Sequence, residues 1–289
     1  MKIIPASELI INPDGSIYHL NLRPEQLATT VITVGDPDRV SAVSKHFDRI
    51  DHQVQKREFV THTGSYQGKQ LSVISTGIGT DNIDIVFNEL DALVNVDFTT
   101  RQVKTELQSL DIIRIGTSGC LQEDIPLDSF LLSSYGLGLD GLLHFYNAPH
   151  NADETMVHHM FMQDVGKKMS FPIRPYLAQG SQSLLKRFGG DMLKGITVTC
   201  PGFYAPQGRQ VRAEIINENY LENLVDFQYD EHRITNFEME TAGIYGLAKV
   251  LGHQAVSCNA LIANRATNSF SQTPTQTVDK LIELVLDRI

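Results

Sequence analysis

The stretch "TVITVGDPDRVSAVSKHF", Thr30–Phe47, decides the fold of this chain. Val31–Val34 is a short apolar run that predicts a buried strand, and apolar residues then recur at helical spacing over Asp38–Phe47. Gly35 turns the chain between the two elements, and Arg39 falls in the first helical turn. A glycine turn that leads into a helix favours the binding of an anion, either the phosphate of a cofactor or a reactant.

The alternation of strand-like and helix-like stretches continues along the whole chain. Apolar runs predict strands at Val31–Val34, Gln70–Thr76, Asp111–Ile115, Ser129–Ser134, Gly195–Cys200 and Ala255–Ala263. Helical spacing predicts helices at Asp38–Phe47, Ile83–Val94, Glu154–Met169, Ser181–Phe188, Glu240–Leu251 and Thr275–Arg288. We therefore expect an α/β protein, a single-domain three-layer fold over residues 1–289 with a central mixed β-sheet flanked by helices and an N-terminal extension at 1–17.

Composition excludes several classes of function. The chain has 289 residues and a net charge of −10, which argues against a nucleic-acid surface. No apolar run is long enough to span a membrane, and the first residues do not resemble a secretory signal. The three cysteines, Cys120, Cys200 and Cys258, are scattered through apolar contexts. They predict buried, reduced thiols rather than a structural zinc, and a cytoplasmic protein.

Polar residues follow most of the predicted strands, at the ends where ligands bind in open α/β sheets. We expect these ends to converge on one crevice. They would deliver Arg39, Thr80, Arg114, Thr117, Arg209 and Arg265.

The segment "GDPDR" has two interpretations of about equal weight. Gly35 allows the backbone to approach an anion, and Arg39 can add a bidentate fork. The alternative is an ordinary turn with a solvated arginine. No GxGxxG pattern or Walker lysine accompanies the turn, so a dinucleotide or nucleoside triphosphate is poorly supported.

The segment "RIGTSG" places Arg114 inside an apolar strand, where an unpaired guanidinium would be costly. Arg114 therefore needs an anionic partner, either a ligand or a protein carboxylate such as Glu58 or Glu238. We expect Gly116–Ser118 to form a turn after this strand and to supply further donors.

Together these motifs resemble the nucleoside phosphorylase superfamily, and most closely its bacterial uridine phosphorylases. The resemblance covers essentially the whole chain from Tyr18 onward. It is carried by "YHLNL" at Tyr18, "GDPDRV" at Gly35, "REF" at Arg57, "STGIG" at Ser75, "RIGTSG" at Arg114, "LDGLLHF" at Leu139, "FYAPQGR" at Phe203, "FEMET" at Phe237 and "NR" at Asn264.

The resemblance implies a phosphate site and a ribose site. The phosphate site would comprise Gly35, Arg39, Arg57, Arg114 and Thr117. The ribose site would comprise His19, Thr117, Glu238, Met239 and Glu240. In this family the residues at His19 and Arg57 reach the site of a neighbouring subunit. The resemblance thus implies a homo-oligomer, a dimer at least and a hexamer by analogy with bacterial members.

Glu240 also has an interpretation that is independent of the family. We expect it to open a helix, and its carboxylate can accept hydrogen bonds from the two vicinal hydroxyls of a ribose. The alternative is that Glu240 only complements the positive end of the helix dipole.

The base-binding residues would be Phe203, Gln207, Arg209 and Arg265. Phe203 offers a stacking face, and the amide of Gln207 can donate and accept, which matches the imide edge of uracil. Purine phosphorylases of this superfamily typically carry an aspartate after the last strand. Here "LIANRATNSFSQTPTQTV" contains no acidic residue before Asp279, which favours a pyrimidine.

The implied reaction is phosphorolysis of uridine to uracil and ribose 1-phosphate, with deoxyuridine and thymidine as further candidate substrates. The catalytic residues would be Arg114, Gln207, Arg209 and Arg265, with inorganic phosphate as co-substrate and no cofactor. The alternatives are a purine nucleoside phosphorylase or a hydrolytic nucleosidase of the same fold. A second alternative, from another class, is a non-catalytic nucleoside-binding protein.

Two segments depart from the family pattern. Some relatives hold a monovalent cation with residues that correspond to Glu58, Ile78 and a serine, but Asn82 replaces the serine here. This replacement weakens the case for a potassium site. In "YAPQGR", Gly208 stands where a glutamate is commoner, which leaves the preference among uridine, deoxyuridine and thymidine open.

Overall fold

The computed structural model describes residues 2–168, 173–216 and 220–289. The chain divides into two compact units. Unit 1 comprises Met1–Ile113 and Leu251–Gln254, and unit 2 comprises Arg114–Val250 and Ala255–Ile289. A single domain over residues 1–289 stays a prediction.

Unit 1 is built on a small mixed sheet. Its elements are β1 (Thr30–Val34), α1 (Pro37–Ser44), β2 (Arg49–Lys56), β3 (Phe59–Tyr66), β4 (Lys69–Ser75), α2 (Thr80–Asn95), β5 (Val96–Asp97), β6 (Gln102–Val103) and the start of β7 (Asp111–Cys120). β1 pairs with β4 in parallel, whereas β3 pairs antiparallel with both β4 and β2.

The opening stretch forms the predicted strand, turn and helix. The carboxylate of Asp36 accepts a hydrogen bond from the backbone N–H of Asp38 at 3.0 Å and so caps α1, and Pro37 occupies its first turn. Val40 and Val43 are fully buried, as their helical spacing predicts. The helix ends at Ser44, before the predicted Phe47.

Unit 2 also contains a mixed sheet. After β7 its elements are β8 (Phe130–Gly138), α3 (Ala152–Asp164), β9 (Tyr176–Gln179), α4 (Gln182–Gly189), β10 (Leu193–Thr199), α5 (Tyr220–Val225), β11 (Gln228–Tyr229), β12 (His232–Glu238), α6 (Thr241–Leu251), β13 (Gln254–Asn264), β14 (Ser269–Phe270) and α7 (Pro274–Leu286). β10 lies parallel to β8 and β12, and β8 is antiparallel to β9 and β13. The predicted α/β class with mixed sheets is confirmed.

The turn predicted at Gly116–Ser118 is wrong, because β7 continues to Cys120. Its last residues pair antiparallel with β12, Gly119 opposite Phe237. A Cβ atom at Gly119 would lie 2.9 Å from the Phe237 ring. The glycines of this segment therefore serve close packing within a strand, and not a change of chain direction.

Several other elements differ from expectation. The strands β2, β3, β9 and β12 were not predicted, and the polar alternation of β2 (RIDHQVQK) explains why no apolar run marks it. α6 begins at Thr241, one residue after the predicted Glu240. α3 ends at Asp164, and the predicted end at Met169 lies outside the described residues.

The cysteines are free thiols, and Cys120, Cys200 and Cys258 are all buried as predicted. Burial raises the pKa of the Cys258 thiol to about 12, which keeps it protonated and inert. In the part of the chain that the structure describes, no helix has both the length and the apolar character to cross a membrane.

Candidate active site

Arg114 lies at the centre of a buried charge cluster in unit 2. Its side chain is only 7% exposed, and Nη2 lies 2.9 Å from Glu238 Oε2 and 2.7 Å from Glu240 Oε2. Its other terminal nitrogen, Nη1, donates to Asn259 Oδ1 at 2.9 Å. Burial alone predicted an anionic partner for this arginine, and of the two carboxylates named for that role, Glu238 is a contact of Arg114.

The two carboxylates dominate the electrostatics of this cluster. Burial alone would lower the pKa of Arg114, but Glu238 and Glu240 outweigh burial and raise the pKa. The guanidinium is therefore permanently charged. A cluster of one guanidinium and two carboxylates retains a negative formal charge when both carboxylates are ionised.

Glu238 holds the start of α6. Its carboxylate accepts hydrogen bonds from the backbone N–H groups of Glu240 and Thr241, both at 2.9 Å, and from Thr199 Oγ1 at 2.7 Å. The interaction with the helix N-terminus that was considered for Glu240 is thus made by Glu238. The carboxylate of Glu240 contacts Arg114 instead.

Asn259 and its neighbours fix the guanidinium from the other side. The Asn259 amide donates to Ser133 Oγ at 3.1 Å and to Ser257 Oγ at 3.3 Å, so its oxygen is left to accept from Arg114. Ser257 also shares a 2.9 Å hydrogen bond with Thr241 Oγ1. The orientation of Arg114 is therefore set by Asn259 on β13 as well as by the two carboxylates.

Gly116 leaves room for this arrangement. A Cβ atom at this position would lie 1.8 Å from Arg114 Nη1 and 2.4 Å from its Cζ. The Arg114 side chain extends along its own strand and covers Gly116, which lies two residues later on the same face of β7. Gly116 makes space for the guanidinium, and its expected role as a backbone donor stays a prediction.

A second cluster lies in the loop that follows β10. Gln207 ends a short 3-10 helix, Ala205–Gln207, and its side chain is buried. Arg209 Nη1 donates to Gln207 Oε1 at 2.5 Å and to the Phe203 carbonyl at 2.7 Å. The guanidinium also lies over the Phe203 ring, 3.8 Å from its centroid. Of the three residues predicted to bind the base from this loop, Arg209 therefore contacts both of the others.

Arg265 joins this cluster from the end of β13. It donates to the carbonyls of Gln207 and Gly208, both at 3.3 Å. Burial and the neighbouring charge of Arg265 lower the pKa of Arg209, and burial lowers the pKa of Arg265. Among the described residues no carboxylate pairs with either arginine, so the cluster has excess positive charge and favours an anion.

Strand β12 connects the two clusters. The Phe237 ring centroid is 5.4 Å from the Arg209 guanidinium and 6.0 Å from that of Arg265. The next residue, Glu238, contacts Arg114. The negative and positive clusters are therefore held by adjacent residues of one strand. Met239 directly follows Glu238, and Thr117 lies in β7. Both were predicted to contact ribose, and both are partly exposed.

The turn at Gly208 suits a glycine in this chain. Its φ of +65° lies in the left-handed region, and a Cβ atom would lie 2.8 Å from Leu221 Cδ1. Any larger residue would strain the turn that holds Gln207.

In unit 1, Gly35 and Arg39 occupy the β1–α1 turn and the first turns of α1. Gly35 has no positive φ, and a Cβ atom there would make only an ordinary contact, 3.6 Å from the Gly77 carbonyl. Neither backbone conformation nor this neighbour demands a glycine. The phosphate-binding role of Gly35 stays a prediction.

Arg57 lies in the two-residue turn between β2 and β3, and its side chain is exposed. Its φ of +56° is unusual for a residue other than glycine and costs about 1–2 kcal/mol. His19 is partly exposed in a segment anchored by Ile17 and Leu20, and its ring bonds to Glu89 at 2.6 Å.

At the candidate cation position, Asn82 Nδ2 lies 3.5 Å from the Ile78 carbonyl, a long contact at the limit of a hydrogen bond. A Cβ atom on Gly77 would lie 2.4 Å from the same nitrogen and 3.1 Å from Glu58 Cγ. The amide of Asn82 therefore lies near the two residues that correspond to cation ligands in some relatives, and the doubt about a potassium site stays a prediction.

Three residues that matter in this geometry were missed or misread from the sequence: Asn259, Gly116 and Glu89. An asparagine within the apolar stretch "AVSCNALIA" was a usable signal, because a buried amide needs specific partners. Nothing local in the sequence indicates that Glu89 contacts His19, since 70 positions separate them.

Comparisons with known proteins identify relatives of this chain. The chain is 31% identical to a uridine phosphorylase of Thermococcus kodakarensis over 259 residues, 90% of this chain and 81% of the relative. It is 28% identical to a uridine phosphorylase of Haemophilus influenzae, over 94% of this chain and 96% of that protein.

A solved structure is also similar. The crystal structure of a nucleoside phosphorylase from Trypanosoma brucei, which shows uridine phosphorylase activity, matches with a TM-score of 0.88. The match covers 97% of this chain and 98% of the other, at 28% identity. The model of one family, the phosphorylase superfamily, matches residues 29–288, and this chain belongs to that family.

Proposed function

We propose that this protein is a phosphate-dependent pentosyltransferase that cleaves uridine to uracil and ribose 1-phosphate. Deoxyuridine and thymidine are further candidate substrates. The family membership and the uridine phosphorylases among its relatives support this proposal. The observation that carries it is the adjacency on β12 of a buried carboxylate–arginine cluster and an arginine–glutamine cluster with excess positive charge.

The carboxylate of Glu240 suits a ribose diol. When a nucleoside binds, its O2′ and O3′ hydroxyls can donate to Glu240, which releases part of the Arg114 fork toward phosphate. Glu238 keeps the start of α6 and Arg114 in place, and Met239 packs against the sugar. Gly35, Arg39 and Thr117 retain the phosphate-binding role that the resemblance implies.

In the reaction, a phosphate oxygen attacks C1′ while the bond from C1′ to N1 of the base breaks. The electron pair of that bond goes to uracil, whose negative charge spreads over O2, N3 and O4. Gln207, Arg209 and Arg265 stabilise this charge where it develops, in a partly buried site that already favours an anion. No covalent enzyme intermediate and no cofactor are required.

Replacing Gln207 with alanine is expected to raise the KM for uridine about tenfold or more, because a buried amide that reads the imide edge is lost. The KM for phosphate is expected to stay close to that of the wild type. Steady-state kinetics with each substrate varied in turn measure both values. Equal loss of affinity for uridine and phosphate would contradict the division of roles between the two clusters.

The function itself is tested by following uridine absorbance with and without phosphate. We expect cleavage only when phosphate is present, in sodium as well as potassium salts, since we propose that no potassium site is needed. Cleavage without phosphate would indicate a nucleosidase, and faster turnover of inosine would indicate a purine phosphorylase. Absence of turnover with all three of uridine, thymidine and inosine would indicate a non-catalytic nucleoside-binding protein.

We further propose a homo-oligomer with shared active sites, a dimer at least and a hexamer by analogy. Arg57 is exposed on a hairpin turn, and the apolar residue Ile78 in the same unit is 66% exposed. Both features suit an interface with a second copy of the chain. A cytoplasmic location and a role in pyrimidine salvage belong to the same proposal.

Shared sites predict complementation between two inactive variants, Arg57→Ala and Arg114→Ala. Co-expressed in equal amounts, they are expected to recover about a quarter of wild-type activity, because half of random dimers are hybrid and each has one intact site. Each variant alone is the control. No recovery in hybrids verified by mass spectrometry would show that Arg57 serves its own subunit.

A further inference from the structure

Glu89 on α2 makes three contacts with the segment around His19 through its carboxylate. It accepts from the backbone N–H of His19 at 3.0 Å and from that of Leu20 at 2.8 Å. It also lies 2.6 Å from the Nδ1 atom of the His19 ring. Its side chain is 12% exposed, so these contacts are largely shielded from solvent.

The segment that carries His19 is anchored within unit 1. Ile17, Leu20 and Leu22 are fully buried, and the amide of Asn12 donates to the Ile17 carbonyl at 3.0 Å. The ring of Tyr18 meets the His19 ring edge-on at 4.7 Å. The direction of the His19 side chain is therefore set by packing as well as by Glu89.

An ionised carboxylate can only accept hydrogen bonds, so the ring nitrogen that faces it must carry the proton. Neutral His19 then holds its proton on Nδ1, and Nε2 presents a lone pair. Nε2 has no hydrogen-bond partner among the residues that the structure describes. Nε2 is thus available as an acceptor. In the opposite tautomer, Nε2 would carry the proton and could only donate.

We propose that Glu89 is a positioning residue that holds His19 in its Nδ1-protonated form, so that Nε2 accepts a hydrogen bond from the 5′-hydroxyl of the nucleoside. This inference rests on the proposed function, in which His19 meets the ribose. It adds a prediction about which 5′ substituents of the substrate are preferred. A 5′ group that donates a hydrogen bond is favoured over one that is absent or can only accept.

The kinetic test compares uridine with 5′-deoxyuridine and 5′-O-methyluridine. The wild type is expected to prefer uridine about tenfold or more in kcat/KM, mainly through KM, because only uridine can donate to Nε2. In Glu89→Gln this preference is expected to disappear, since the amide can donate as well as accept and no longer fixes the tautomer. Turnover of 5′-deoxyuridine is expected to be unchanged.

Glu25→Gln is the matched control, because it makes the same chemical change at an exposed glutamate in unit 1. It is expected to keep the wild-type preference. Equal losses with uridine and 5′-deoxyuridine in Glu89→Gln would show that Glu89 is only structural. An unchanged preference in that variant would likewise overturn the proposal.

A measurement independent of turnover separates this inference from the proposed function. Nitrogen-15 NMR of histidine-labelled enzyme, with His19→Gln to assign the signals, is expected to show the Nδ1–H tautomer in the wild type. Glu89→Gln is expected to shift His19 toward the Nε2–H form. An Nε2–H tautomer in the wild type would overturn the role of Glu89 even if uridine is cleaved. A wild type without uridine turnover would overturn the function and the hydroxyl contact, while the NMR result still decides the tautomer.

Discussion

Replacing Arg114 with alanine is expected to lower kcat/KM for phosphate about a thousandfold or more, the scale of losing a preorganised charge at the reacting group. The same change leaves Glu238 and Glu240 as buried carboxylates without their countercharge. Removing one partner of a buried ion pair typically costs about 3–5 kcal/mol of stability, so the free energy of unfolding is expected to fall as well. Initial rates at varied phosphate and a thermal unfolding curve measure the two effects.

Arg114→Lys separates the two effects, because it retains the buried charge but loses the fork that engages Glu240 and Asn259 together. We expect this variant to be folded and still severely impaired in the use of phosphate. Normal phosphate dependence in a folded Arg114→Lys or Arg114→Ala enzyme would show that the anion binds elsewhere.

Replacing Gly116 with alanine is expected to lower kcat/KM about a hundredfold, although residue 116 contributes no functional group. The new methyl group would lie 1.8 Å from Arg114 Nη1, and the guanidinium cannot yield easily because Asn259, Glu238 and Glu240 hold it. Displacing it misplaces a catalytic charge by an ångström or more, which typically costs about a hundredfold. Kinetics and a crystal structure of the variant would measure the loss and the displacement.

The matched control for this change is Gly189→Ala at the end of α4. There the added Cβ atom would make an ordinary contact, 3.5 Å from Lys194 Cε, and the backbone is not in the left-handed region. We expect Gly189→Ala to behave as the wild type. If Gly116→Ala had the same rate and phosphate affinity as Gly189→Ala, the position of the guanidinium would not limit the reaction.

Local patterns in the sequence predicted the features that depend mainly on neighbouring residues in the chain. The strand, turn and helix at Thr30–Phe47 formed because an apolar run, a capping aspartate and a proline lie within a few residues of one another. The burial of Arg114 and its need for an anionic partner were also predictable, since its strand is apolar on both sides.

Long-range packing decided the rest. Gly116–Ser118 looked like a turn because small polar residues usually mark one, but β7 continues through it. The residues just beyond it, Gly119 and Cys120, pair with β12 from more than a hundred residues away. Likewise, the sequence could not show that Glu238 and not Glu240 would hold the start of α6, because Glu238 reaches that turn from the end of β12, which is placed by its pairing with β10 and β7.

The most direct test of the account is phosphorus-31 NMR of the enzyme with uridine and an equal amount of inorganic phosphate. We predict that the phosphate signal declines while that of a sugar 1-phosphate grows, one phosphate ester for each uracil released. Uracil released while inorganic phosphate remains unchanged would contradict the account, because water and not phosphate would then be the nucleophile.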